Sequence, residues 1–64
     1  MSVEIKGNRL IVHIPNRAVE LRGHLDQDYF RVYTESLEGK IELTEDNIKA
    51  IRAEISKNPF IIID

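Results

Sequence analysis

The run KGNRLIVHIP, residues 6–15, constrains the fold of this chain more than any other part of its sequence. Gly7 and Asn8 both tolerate a positive φ angle, so together they predict the two-residue turn of a β-hairpin. The residues on either side of this turn, from Val3 to Ile14, are mostly β-branched or aliphatic, which favours strands. Pro15 has no amide proton to donate to a ladder, so it predicts the end of the second strand.

The segment after this hairpin is predicted to form a short helix. Asn16 is a candidate N-cap, because its side chain can accept a hydrogen bond from an amide of the first turn. Val19, Arg22 and Leu25 follow at helical spacing. Gly23 weakens a helix and is expected near its end.

A second hairpin is expected downstream of the helix. Residues 29–34 alternate in polarity as a strand does, with Phe30 and Val32 on one face. Residues 35–39 are predicted to form the loop of this hairpin. Strand alternation then resumes over residues 41–43, which should form the returning strand.

The strongest helix signal lies over residues 44–58. Thr44 is a good N-cap residue and is followed by two acidic residues, which the helix dipole favours in the first turn. Three isoleucines lie on one helical face, namely Ile48, Ile51 and Ile55. Asn58 is suited to a left-handed C-cap, and Pro59 prevents the helix from continuing.

Four large apolar residues, Phe60 to Ile63, come near the end of the sequence. Such a run is not expected to stay in water. Three arrangements would protect this apolar tail, residues 59–64: pairing as a strand, docking on the core, or burial at an interface with another chain.

The size of the chain bears on its stability and its class. Sixty-four residues allow one domain, residues 1–64, and a lone chain of this size buries too little surface to be more than marginally stable. The absence of cysteine excludes disulfides and thiolate metal sites, so oligomerisation is the expected remedy, with no metal or cofactor. The sequence shows no apolar run of membrane-spanning length and no secretory leader, so a cytoplasmic location is expected.

The charge of the chain is unevenly distributed. The formal net charge is −2, but residues 1–34 hold five Lys or Arg against four Asp or Glu, and the remainder holds four against seven. An anion-binding face would therefore belong to the N-terminal half. The serines and the two histidines stand in no catalytic pattern, so an enzyme is not expected.

Several of these features occur together, in one order, in a known family. They are Lys6-Gly7-Asn8, Ile14-Pro15, Asp28 followed by Phe30 and Val32, and the run from Gly39 to Leu43. In this order and spacing, residues 3–43 resemble the AbrB/MazE swapped-hairpin superfamily of bacterial and archaeal transition-state regulators and antitoxins.

The expected fold is a β-rich α+β fold with two β-hairpins joined by a short helix. The resemblance implies a homodimer in which the N-terminal hairpins of the two chains exchange or interleave to form one core. The C-terminal helix and the apolar tail would be additions to that core. The implied function is that of a dimeric DNA-binding transcriptional regulator or the antitoxin of a toxin–antitoxin pair. The residues that would contact DNA are Lys6, Asn8, Arg9, Arg17 and Arg22.

A second interpretation is a small acidic protein-interaction module or inhibitor, for example one encoded by a phage, that does not bind DNA. It rests on the net negative charge, the amphipathic helix and the apolar tail. A protein partner, whether a toxin or a host protein, would then bind the helix or the tail. The residues predicted to contact it are Ile48, Ile51, Ile55, Phe60 and Ile62.

Overall fold

Five strands form one sheet in which strands adjacent in sequence are also adjacent in space. The computed structural model describes residues 2–40 and 42–63. Its strands are β1 (Ser2–Lys6), β2 (Arg9–Ile14), β3 (Arg17–Asp26), β4 (Tyr29–Val32) and β5 (Ile61–Ile63), and its helices are α1 (Thr34–Glu38) and α2 (Glu45–Ser56). The first four strands form an antiparallel meander, and β5 returns parallel to β4 after both helices. The predicted β-rich α+β class is confirmed.

The predicted first hairpin is confirmed. Strands β1 and β2 pair in a register that sets Lys6 opposite Arg9 across a two-residue turn. Gly7 adopts a φ of +59° in this turn, which glycine reaches without a steric penalty. Strand β2 ends at Ile14, directly before the proline.

The helix predicted after Pro15 is wrong, because this segment is strand β3. Pro15 and Asn16 form the turn of a second tight hairpin, in which Ile14 lies opposite Arg17. The buried side of β3 holds Val19 and Leu21, which alternate with exposed polar residues. This alternation with a period of two, rather than the helical spacing, decides the structure. Pairing with β2 turns the apolar residues of β3 to the buried face of the sheet and its polar residues to solvent.

Strand β3 is long enough to serve two partners in turn. Its first half pairs with β2 as far as Arg22, and its second half, from Gly23 to Asp26, pairs with β4. Gly23 lies where the partner changes, and a Cβ atom built on it would lie 2.1 Å from the carbonyl oxygen of Arg31 and 2.6 Å from Cε1 of Phe30. Only glycine allows this close approach of backbone and ring.

The predicted second hairpin is also wrong in its partner strand. Strand β4 has Phe30 and Val32 on its buried face, as predicted, but it pairs with β3 through the turn at Gln27 and Asp28. The residues assigned to the loop form α1 instead, which is held to the fold by the fully buried side chain of Leu37. Of the predicted returning strand, Leu43 is buried outside any strand, and residue 41 lies outside the described residues.

The predicted C-terminal helix is confirmed. Thr44 is the N-cap, and its Oγ1 accepts a hydrogen bond from the amide of Asn47 at 3.2 Å. The left-handed cap predicted at Asn58 is wrong, because Gln27 is the one non-glycine residue with a positive φ among those described. The Asn58 side chain acts differently: its Oδ1 accepts a hydrogen bond from the amide of Phe60 at 2.9 Å, which forms the turn into β5.

The described part of the apolar tail combines two of the three expected arrangements, because it pairs as a strand and also docks on the core through Ile61. Ile61 lies beside Phe30 and Ile63 beside Val32 in the parallel register of β4 and β5. These strands and both helices contribute to one core, whose buried members are Leu10, Val12, Ile14, Val19, Leu21, Phe30, Val32, Leu37, Leu43, Ile51, Ile55 and Ile61. No helix in the described part of the chain has the length and apolar character needed to cross a membrane.

Candidate interaction surface on the open face of the sheet

One face of the sheet is covered and the other is not. Helix α2 lies across β2 and reaches β1 and β5, and the buried side chains of both helices belong to the same core as the inward residues of the strands. On the opposite face, called the open face below, the described strand residues are all exposed or half-buried, and α1 borders this face beside β3. Because residues paired across strands point to the same side, the register of the sheet gives the members of this face.

A row of three cationic residues crosses the open face. Lys6 pairs with Arg9 in the register of β1 and β2, and Arg9 pairs with Arg22 in the register of β2 and β3. The structure thus brings together three of the five residues predicted to contact DNA. Like charges directly opposite each other destabilise a sheet, so this basic row requires compensation.

Acidic residues on the same face compensate two members of the basic row. The next row of the sheet places Glu4 and Glu20 at its two ends. Lys6 Nζ lies 3.8 Å from Glu4 Oε2, and the guanidinium of Arg9 donates a hydrogen bond to Oε1 of Glu20. Arg22, by contrast, forms no ion pair with any residue in 2–40 or 42–63.

Arg22 opens onto a cleft between β3 and α1. The cleft has a volume of about 260 Å³, and its charged and hydroxyl lining residues are Arg9, Glu20, Arg22, Glu35, Ser36 and Lys40. The amide of Arg22 donates a hydrogen bond to Ser36 Oγ at 3.1 Å, and its carbonyl accepts one from the amide of Tyr33 at 2.9 Å. Lys40, like Arg22, forms no ion pair within the described part of the chain.

Sequence reasoning missed Lys40 and Ser36 as members of this site. No local pattern links either residue to Arg22, because the cleft exists only where α1 folds back against β3. Ser36 lies in a segment predicted to be a loop. Nothing in the sequence indicates that its hydroxyl accepts a hydrogen bond from the backbone of Arg22, fourteen residues earlier.

The other two residues predicted to contact DNA lie apart from the basic row. Asn8 is in the exposed turn between β1 and β2, where its carbonyl accepts a hydrogen bond from the amide of Gly23 at 2.9 Å. Arg17 is exposed at the far end of β3 and lies opposite Ile14. Its position has the opposite parity from Arg22 in the same strand, which sets the two arginines on different faces.

The residues predicted to bind a protein partner do not form one surface. Ile51 and Ile55 are buried in the core of their own chain, and Ile48 packs against that core. Ile62 is half-buried and shares its register position with Arg31 of the open face. Phe60 is 60% exposed.

The open face also has an apolar and aromatic component. Ile11 and Ile62 are half-buried on it, and the rings of His24 and Tyr33 lie with their centroids 5.5 Å apart. Three exposed side chains, called the apolar corner below, lie at the end of the sheet near the turn between β3 and β4. They are Leu25, Tyr29 and Phe60. Tyr29 pairs with Asp26 on the open face, whereas Leu25 pairs with Phe30 and therefore belongs to the other side of the sheet.

The open face thus carries the basic row, the half-buried isoleucines and Tyr29 of the apolar corner. Another ion pair, from Arg31 Nε to Asp26 Oδ2 at 2.7 Å, lies between the basic row and the apolar corner. No three His, Asp or Glu side chains within the described ranges are grouped so that they could hold a metal ion. Comparison with protein-family models, with curated proteins and with solved structures finds no match to this chain.

Proposed function

We propose that this protein is a small interaction module, without enzymatic activity, that binds a partner protein through the open face of its sheet. The observation that carries this proposal is the composition of that uncovered face. It combines paired charges of both signs with half-buried isoleucines and exposed aromatic rings. Protein interfaces have such a mixture, in which aromatic residues and arginine are enriched.

The distribution of charge favours a protein over a nucleic acid as the partner. Glu4, Glu20 and Asp26 alternate with the cations of the open face. A phosphate backbone would meet these carboxylates as well as the cations, and the chain as a whole has a formal charge of −2. A protein surface with charges of both signs can complement both sets.

Site-specific photo-crosslinking in the cells that produce the protein tests this proposal. A photoreactive phenylalanine analogue replaces Tyr29 in the apolar corner, where the side chain is 43% exposed. Because both side chains are aromatic, the substitution keeps a ring at this position. The matched control places the same analogue at Lys49, which is exposed on α2. We expect one discrete crosslinked protein from position 29 and none from position 49.

Crosslinks from position 49 alone, or no crosslink from position 29, would contradict the proposal. Replacing Ile62 by Arg in the Tyr29 crosslinking variant supplies a further check, because a charge on the half-buried apolar part of the open face should abolish the crosslinked product. Circular dichroism of this variant shows whether it remains folded. A folded variant that crosslinks as well as its parent would also count against the open face.

A second candidate is a DNA-binding regulator or antitoxin of the swapped-hairpin type, and the basic row is the observation that favours it. Lys6, Arg9 and Arg22 lie in one line across three strands, and the first two belong to the hairpin that the family resemblance assigns to DNA contact. Cations in such a row could bind consecutive phosphates, and an arginine could also bind guanine.

Fluorescence anisotropy with the DNA upstream of the gene tests this candidate. If it is correct, Arg22→Ala weakens binding and lowers the slope of log K against log salt by about 0.9 for the lost phosphate contact. Lys49→Ala removes the same charge from α2 and should leave the slope unchanged. Absence of binding at 50 mM salt, or equal slopes for the two variants, would exclude this candidate.

Light scattering over a dilution series tests the dimer that the second candidate requires. Exchange of hairpins would predict a dimer that persists at low micromolar concentration, because each core would depend on the other chain. A folded monomer would exclude the swapped-hairpin form and leave the protein-interaction proposal intact.

A further inference from the structure

We infer that the cleft between β3 and α1 binds a carboxylate group of an acidic side chain presented by the partner protein. This inference rests on the proposed function, because it assigns the chemistry of one part of the open face. It concerns three cationic residues, Arg9, Arg22 and Lys40, and the hydroxyl-bearing residue Ser36 beside them.

Charges of opposite sign are paired over most of the open face. Three of its cations have an acidic partner: Lys6 has Glu4, Arg9 has Glu20, and Arg31 has Asp26. Arg22 stands directly opposite Arg9 and has no such partner among residues 2–40 and 42–63. A carboxylate beside Arg22 would complete the alternation of charge and remove the repulsion between the two arginines.

The backbone of Arg22 is held at the edge of the cleft by residues next to it. Both polar groups of its backbone are engaged, the amide by Ser36 Oγ and the carbonyl by the amide of Tyr33. The base of the side chain is therefore fixed where the cleft begins. A guanidinium group binds a carboxylate in a planar, two-pronged geometry. Lys40 adds to the lining a second cation that forms no ion pair with the described residues.

The size and the charge of the cleft favour one carboxylate over a phosphate. Its volume of about 260 Å³ is small for an organic ligand but sufficient for the end of one side chain. Three cations and two acids, Glu20 and Glu35, line it, which leaves a net charge of +1. That charge matches a carboxylate, whereas a phosphate monoester would bring about two negative charges close to both acids.

A titration of the ¹⁵N-labelled full chain followed by NMR tests the inference. The probes are three capped tripeptides that differ only in the central residue: Gly-Asp-Gly, Gly-Asn-Gly and Gly-phosphoserine-Gly. We expect saturable shifts from the Asp peptide at the Arg22 side-chain NH and at the amides of Ser36 and Gly39. The Asn peptide should bind about fivefold more weakly or worse, because it lacks the charge-assisted hydrogen bonds.

Two variants of the cleft and two matched controls locate the binding. Arg22→Gln and Lys40→Gln each remove one cation from the lining of the cleft, and each should weaken binding of the Asp peptide about fivefold or more. Arg17→Gln and Lys49→Gln remove exposed cations elsewhere and should leave its affinity unchanged. The dispersion of the amide spectrum shows that each variant is folded, and Lys40→Gln supports the test if Arg22→Gln unfolds.

Three outcomes would overturn the inference: no saturable shift with the Asp peptide, equal binding in the cleft and control variants, or tighter binding of the phosphoserine peptide. The crosslinking experiment at position 29 separates these failures from failure of the proposed function. A crosslinked partner without carboxylate binding removes the inference alone. Carboxylate binding without a crosslinked partner supports the cleft and overturns the larger interface, and the loss of both results overturns both proposals.

Discussion

At the scale of single residues, Gly23 has the most restrictive environment in the fold. A methyl group there would overlap the backbone of Arg31 and the ring of Phe30, so β3 and β4 would have to separate. We expect Gly23→Ala to lower the free energy of unfolding by about 2 kcal/mol or more, as overpacking does in cores. Urea unfolding followed by circular dichroism measures this loss.

Gly7→Ala is the control for this substitution. Its Cβ would meet no atom within 4 Å, so it tests the cost of a positive φ alone, which is about 1 kcal/mol. If Gly23→Ala were no more destabilising than Gly7→Ala, the close approach of β3 and β4 would be wrong.

The side chain of Thr34 has a buried polar atom, Oγ1, that lacks a hydrogen-bond partner among the described residues. Thr34→Val keeps the shape and removes the buried hydroxyl, so we expect a gain of about 1 kcal/mol in the free energy of unfolding. Thr34→Ser keeps the hydroxyl and should show no gain; a loss of stability in the valine variant would show that this hydroxyl is satisfied.

The reason for Gly23 could not be predicted from the sequence alone. From the sequence alone, Gly23 is expected near the end of a short helix, because glycine weakens helices. Its actual function depends on Arg31 and Phe30, which reach it only once β4 has paired with β3. The same holds for Lys40 in the cleft, whose neighbours are set by the position of α1.

At the scale of elements, the N-terminus of α2 depends on one side chain. Thr44 Oγ1 accepts the hydrogen bond from the amide of Asn47, which would otherwise lack a partner. We expect Thr44→Ala to lower the free energy of unfolding by about 1 kcal/mol, and Thr44→Ser, which keeps the oxygen, to stay close to the parent protein. Equal losses in both variants, measured by thermal unfolding, would show that the methyl group matters rather than the cap.

The elements differ in how far the sequence predicts them, and the difference follows from where their signals lie. Helix α2 has its cap, its apolar face and its stop within one stretch of the chain, so local reasoning finds it. The apolar residues of β3 fit both the spacing of a helix and the alternation of a strand. Only pairing with the neighbouring strand β2 selects the strand. Helix α1 is five residues long and depends on the burial of Leu37, which is a tertiary effect.

At the scale of the whole molecule, the core is shared among all parts of one chain. The β1–β2 hairpin, which the resemblance assigns to exchange between chains, pairs through β2 with β3 over six residue pairs. The same core receives Leu37 from α1 and Ile61 from β5. The small size of the chain predicts a core that is completed by a second chain. Only the positions of α2 and β5 show that residues of the same chain can complete it.

The contribution of β5 to this shared core gives a prediction for the complete fold. A chain that stops at Asn58 loses the pairing of β5 with β4 and the buried side chain of Ile61, and it uncovers the edge of β4. Small domains have a free energy of unfolding of only about 5 kcal/mol, and losing one buried isoleucine costs about 2–5 kcal/mol. We therefore expect the shortened chain to lose cooperative thermal unfolding and the dispersion of its amide spectrum.

Two variants of the full chain distinguish burial from length in this prediction. Ile61→Ala should be strongly destabilised, since its side chain is 6% exposed, while Phe60→Ser should change the free energy of unfolding by about 0.5 kcal/mol or less. If the shortened chain folds cooperatively, β5 is an attachment rather than part of the core, and its apolar residues become available to a partner. If it unfolds, those residues are needed within the chain, and recognition of a partner falls to the open face and to the apolar corner beside it.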